Sequence, residues 1–133
     1  MIEVNQVGAL VERIARQFQP QRIILFGSYA YGTPDENSDV DLLVIMPYPV
    51  RSAGQAIKIL NAVAPTFAVD LLVRTPEEME RRLAWYDFFL REIVEKGVVL
   101  NDAADQSEAR NPVRLGRHIK TVMSGSSRKE MVS

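Results

Sequence analysis

Asp39 and Asp41 flank Val40 at the head of an apolar run, Val40-Asp41-Leu42-Leu43-Val44-Ile45-Met46, that reads as a strand. Side chains on a strand alternate faces, so residues two apart point the same way with Cα atoms ~6.5–7 Å apart, and the two carboxylates converge. That spacing suits a pair of hard cations, because two-metal sites hold their ions ~3.5–4 Å apart and carboxylate oxygens reach both. Asp70 is a third acid, set in the apolar run Phe67-Ala68-Val69-Asp70-Leu71-Leu72-Val73. An isolated charge buried there would carry a large desolvation penalty. It needs a partner: the same metal pair if its strand lies beside the Asp41 strand, or an arginine such as Arg22 or Arg74. Gly27-Ser28 closes another apolar run. A residue without a Cβ, followed by exposed N–H groups and a hydroxyl, can cradle phosphate.

Each of these features alone is ordinary. Asp-x-Asp pairs are common where loops enter strands, their side chains satisfying turn N–H groups, and a Gly-Ser after a strand says less still. Their conjunction favours two-metal phosphoryl transfer: three acids and a phosphate-type turn on the ends of three successive strands.

The elements that must position these residues are legible in the apolar periodicity. Val7, Leu10, Val11, Ile14 and Phe18 form the stripe of an amphipathic helix over 7–18, closed by Pro20. Arg22 to Phe26 predicts a first buried strand, residues 28–32 a turn with a short helical segment, and Thr33-Pro34-Asp35-Glu36-Asn37-Ser38 an exposed loop. After the Asp41 strand, Ala53–Val63 reads as a helix with Ala56, Ile57, Leu60 and Val63 inward, and Phe67–Val73 as a third strand. Thr75-Pro76-Glu77-Glu78 is a capping-box start. The helix it opens breaks near Trp85-Tyr86-Asp87 and stops at Gly97, and Val98-Val99-Leu100 predicts a last short strand. Strands alternating with helices indicate an α/β layer fold.

The 133 residues carry 16 basic and 17 acidic side chains and are 47% hydrophobic, which is globular composition for a single domain. With no cysteine there is no disulfide, thiolate zinc site or cysteine nucleophile. No apolar run reaches the ~18 residues of a spanning helix, and the N-terminal residues lack a signal-peptide pattern, so the expectation is a soluble cytoplasmic protein without membrane association. Residues 1–101 carry 10 basic and 13 acidic side chains, which argues against strong nucleic-acid binding by the body; residues 102–133 carry 6 and 4. The division expected is a folded domain over 1–101 and a polar, partly basic, flexible tail over 102–133, in which Ser124-Gly125-Ser126-Ser127 is linker-like. His118, the single histidine, lies in that tail among Arg114, Arg117 and Lys120, where partner contact is favoured over catalysis. Trp85, Tyr86, Phe88 and Phe89 fall at spacings that suggest core and interface packing.

Gly27-Ser28-Tyr29-Ala30-Tyr31-Gly32 and, ten residues after Ser28, Asp39-Val40-Asp41-Leu42-Leu43-Val44 resemble the signature of the nucleotidyltransferase superfamily related to DNA polymerase beta. More narrowly, the short chain and the string ending Ser38-Asp39-Val40-Asp41 are similar to the minimal nucleotidyltransferases (MNT), antitoxin partners of HEPN toxins, over about residues 7–101. The resemblance implies a polymerase beta-like α+β fold, a mixed β-sheet flanked by helices. It implies ATP with its phosphates against Gly27 and Ser28, and two Mg²⁺ ions on Asp39, Asp41 and Asp70. In family terms Asp70 ligates the metal that activates the attacking hydroxyl. The implied activity is transfer of AMP to a hydroxyl, a tyrosine of a cognate HEPN toxin. Neutralisation of the partner by occlusion and a small-molecule, antibiotic-type nucleotidyltransferase remain alternatives, and a homo- or hetero-oligomer is compatible with each.

Overall fold

The computed structural model describes residues 2–49 and 51–105; His118, the basic tail residues and the linker-like 124–127 lie outside them. In chain order the elements are α1 (Val4–Phe18), β1 (Arg22–Phe26), α2 (Ser28–Tyr31), β2 (Val40–Ile45), α3 (Ser52–Val63), β3 (Val69–Arg74), α4 (Pro76–Ala84), α5 (Phe88–Lys96) and β4 (Val98–Asp102), followed by a short 3₁₀ turn at Ala103–Asp105. The strands form one mixed sheet in the order β3-β2-β1-β4. β1 runs antiparallel to both β2 and β4, and β2 parallel to β3. This is the mixed sheet flanked by helices expected from the sequence.

Strand alternation divides the core into two layers. Ile23, Leu25, Val40, Leu42 and Val44 face α1 and α3, packing on Leu10, Ile14, Ile59 and Val63. Ile24, Phe26, Leu43 and Ile45 face α4 and α5, packing on Met79, Leu90 and Ile93. A single strand thus supplies both layers, which is why β1 and β2 read as unbroken apolar runs.

Several local expectations are corrected. α1 ends on Gln19 in the left-handed region (φ 48°), one residue before Pro20. The inward row of α3 is Gln55, Ile59 and Val63, four residues apart, whereas Ile57 is exposed. Thr75 caps α4 by accepting from the Glu78 N–H at 3.1 Å, but the Glu78 carboxylate is directed at Arg74 and Arg82 (3.6 and 3.7 Å), so half of the capping box is made. Gly97 ends α5 with extended φ −72°, ψ 169°. Its lack of a side chain serves packing instead: a Cβ would collide with the Ile93 carbonyl and the Ile24 side chain. β4 runs two residues longer than expected, to Asp102.

Candidate active site

The β-strand directions bring the candidate residues to one end of the sheet. β1 ends at Phe26, immediately before Gly27, while β2 and β3 begin at Val40 and Val69. Because β1 is antiparallel to β2, and β2 parallel to β3, the end of β1 and the starts of β2 and β3 coincide. Asp41 stands opposite Asp70 in the parallel register and opposite Phe26 in the antiparallel one. Asp41 shares the face of Leu43 and Ile45, and Asp70 that of Leu72. Alternation carries Asp39, one residue before β2, to the same side.

Asp70 is exposed, which corrects the expectation of a buried acid. β3 is an edge strand in which only Val73 is fully buried, so its neighbour at Asp70 on the outer side is solvent. The arginine alternative also fails: Arg22 pairs with Asp102 at 3.4 Å and Arg74 with Glu78 at 3.6 Å. Asp39 is likewise exposed, and Asp41 half-buried.

The electrostatics register the gathering of the three acids. Burial first, then the negative charges of Asp70 and Asp39, push the Asp41 carboxyl up from its ordinary value to about 6. The site is short of positive charge, and its donors are carboxylate oxygens, the ligand type of hard divalent cations. As they stand, no three acidic or imidazole side chains among the described residues are grouped to enclose a cation. Asp39 and Asp70 are exposed, however, so a change of rotamer at either meets little packing resistance. The donor chemistry fits a divalent metal; a closed cage is not preformed.

Gly27 has φ 76° and ψ −159°, a conformation essentially restricted to glycine. A Cβ at this position would overlap the Asp41 carboxylate. The turn therefore packs its bare backbone directly against the acid site. The Gly27 carbonyl accepts from the N–H groups of Ala30 and Tyr31, both at 3.0 Å, which winds the single turn of α2. That leaves the leading N–H groups of the turn without intrahelical partners, next to the half-buried Ser28. Tyr29 is buried and its hydroxyl accepts from the Ile2 N–H at 3.1 Å, anchoring the turn to the chain ahead of α1. The loop between them is self-braced: Asp35 accepts from the Asn37 N–H at 2.8 Å and Ser38 accepts from the Asp35 N–H at 2.9 Å.

The family profile of the nucleotidyltransferase domain matches residues 7–122. This chain belongs to that family. The nucleotidyltransferase domain is also similar to one chain of a solved toxin-antitoxin structure, a mutant of the MntA-HpeT pair. The identity is 19%, covering 95% of this chain and 98% of that one, with a TM-score of 0.47. No curated protein matches. Among the described residues of the nucleotidyltransferase domain no helix is long and apolar enough to cross a membrane.

Spacing alone did not reveal what rims this site. The Phe89 ring meets Phe26 edge-on, centroids 5.9 Å apart, and Phe26 is the register partner of Asp41. The sequence signal for this neighbourhood was the break between the two halves of the 75–96 helix.

Proposed function

We propose that this nucleotidyltransferase domain transfers AMP from ATP to a tyrosine hydroxyl of a HEPN toxin and so acts as its antitoxin. The observation that carries the proposal is the register of Asp41 against Asp70 with the Gly27 turn packed on Asp41. The narrower choice of acceptor rests on the sequence string Gly27–Gly32 and Ser38–Asp41, which resembles the minimal nucleotidyltransferases.

In this reading Asp39, Asp41 and Asp70 hold two Mg²⁺ ions. When bound, those ions neutralise charge developing around the α-phosphate and favour ionisation of the attacking hydroxyl. Gly27 admits the triphosphate close to the backbone, where the leading N–H groups and the Ser28 hydroxyl donate to phosphate oxygens. Asp41, the more buried of the three acids, would hold the metal in its ionised form. Asp70, at the open edge, faces the incoming acceptor and takes its proton. A bond forms between the tyrosine oxygen and the α-phosphorus, the α–β bridging P–O bond breaks, and pyrophosphate leaves with that electron pair. No histidine or cysteine is required, and residues 2–105 contain neither.

Purified chain, HEPN protein, Mg²⁺ and ATP radiolabelled at the α-phosphate test the proposal. Label is expected on the HEPN protein, and Asp39→Asn or Asp41→Asn is expected to abolish it in a folded protein. Labelling that persists in both variants contradicts it, and neutralisation at wild-type strength by the double variant would instead favour occlusion.

A further inference from the structure

Trp85, Tyr86, Phe88 and Phe89 occupy the corner between α4 and α5, and they are not core. Their exposures are 80%, 63%, 78% and 53%. Four aromatic side chains at such exposure present roughly 500 Å² of apolar surface, the size of the largest patch on an ordinary monomer. Tyr86 is held outward by a left-handed backbone (φ 60°) that a bulky residue adopts only at a cost in strain. The Arg91 guanidinium lies 4.9 Å from its ring centroid. Beside the rings, Arg81, Arg82, Trp85 and Asp87 line an open cleft of about 440 Å³.

The charge around the patch selects its occupant. Residues 81–91 hold three arginines against one aspartate, in a chain of net charge −1. Arg82 is shared between Glu78 and Asp87 (3.7 and 3.6 Å), whereas the Arg81 guanidinium, among the described residues, has no ion-pair or hydrogen-bond partner. A second copy of the chain related by a twofold axis would set arginine against arginine. A nucleic-acid strand would leave the patch over Glu77, Glu78 and Glu80 on one side and Glu92 and Glu95 on the other, where a polyanion is repelled. A folded protein whose apolar side chains carry a few carboxylates placed to meet Arg81 and Arg91, and not the flanking glutamates, meets both the rings and the arginines. The patch also abuts the acid site, because Phe89 rests on Phe26, which stands opposite Asp41.

We propose that the α4–α5 corner is the docking surface on which the acceptor protein is seated, through an apolar face with carboxylates opposite the arginines, which brings its hydroxyl to Asp70. This rests on the transfer reaction proposed above.

Trp85 is the sole tryptophan in the chain, so the full chain labelled with fluorotryptophan gives one fluorine resonance, located in the patch. Titrating unlabelled HEPN protein is expected to move that resonance. Arg81→Glu and Phe88→Ala are each expected to weaken the complex by about tenfold or more, with ATP binding to the variants unchanged. A resonance unmoved by the HEPN protein overturns the proposal. So does one that moves with the chain's own concentration, with oligouridylate or with ATP alone, since each names a different occupant. AMP labelling in the same samples separates the two readings. Label transfer with a static resonance removes only the docking surface, and a moved resonance without label removes only the transfer reaction.

Discussion

The Asp41 carboxylate occupies the space that a Cβ at Gly27 would take, so any other residue there must displace the Asp41 side chain. Two demands meet in that glycine: a backbone at φ 76°, ψ −159° and a vacant hemisphere next to a charged oxygen. Gly27→Ala is expected to destabilise the fold by about 2 kcal/mol, from conformational strain and displacement of Asp41. The Tm should drop by roughly 5–10 °C, and ATP binding should be lost even where the variant remains folded. Calorimetry and nucleotide titration check both.

Asp41 makes the metal-free fold sensitive to pH in an uncommon direction. Its folded carboxyl is raised to about 6 against 3.8 for the ordinary group, so between those values the folded chain binds more protons than the unfolded one. Stability contributed by this residue is therefore present below about pH 4 and declines as pH rises towards 6. The site is partly open to water, so the effect is modest. Asp41→Asn should remove this part of the pH dependence and raise the metal-free Tm at pH 8. Thermal melts of both proteins across pH 4–8 provide the comparison.

In the proposed mechanism cation binding requires the ionised form of Asp41, which gives magnesium the opposite pH trend. Magnesium should raise the wild-type Tm above about pH 6 and lose that effect as Asp41 protonates below it. Chelation should abolish the increment and turnover together. A magnesium-induced Tm shift that is as large at pH 5 as at pH 8 would be inconsistent with Asp41 as a ligand.

Asp39 and Asp70 are exposed, so their amide variants should fold with stability within about 0.5 kcal/mol of wild type. Their cost falls on chemistry: turnover is expected to drop by about 100-fold or more in each. Denaturant melts and initial rates measured on the same preparations separate the two effects.

Thr75→Ala should destabilise by about 1 kcal/mol, because the hydroxyl caps α4 through the Glu78 N–H. Glu78→Gln should change stability by less than about 0.5 kcal/mol, since its carboxylate serves partly exposed ion pairs and does not complete the capping box. Urea midpoints of the two variants give the ranking.

The parts of the site joined by short covalent spacing were legible in the sequence. Asp39 and Asp41 share a face once the segment is extended, as its apolar run into a strand indicates, and Gly27-Ser28 after an apolar run announces its turn. Asp70 illustrates what spacing leaves open. Its apolar neighbours mark a strand, but only the order β3-β2-β1-β4 makes that strand an edge and the acid exposed. Trp85, Tyr86, Phe88 and Phe89, expected in core and interface packing, are not core for a related reason. The break expected near Trp85-Tyr86-Asp87 is present, and it turns the rings outward, which spacing along the chain does not show. Ile57 fails similarly, two residues from both Gln55 and Ile59 and so on the opposite side of α3 from the Gln55-Ile59-Val63 row.

The proposed transfer requires that Asp39, Asp41 and Asp70 jointly hold a metal pair beside the Gly27 turn. Manganese, an EPR-visible substitute for magnesium, can be counted on the full chain in the presence of a non-hydrolysable ATP analogue. About two bound ions per chain are expected in the wild type, with loss of at least one in Asp41→Asn and in Asp70→Asn. An unchanged count in both variants would contradict it.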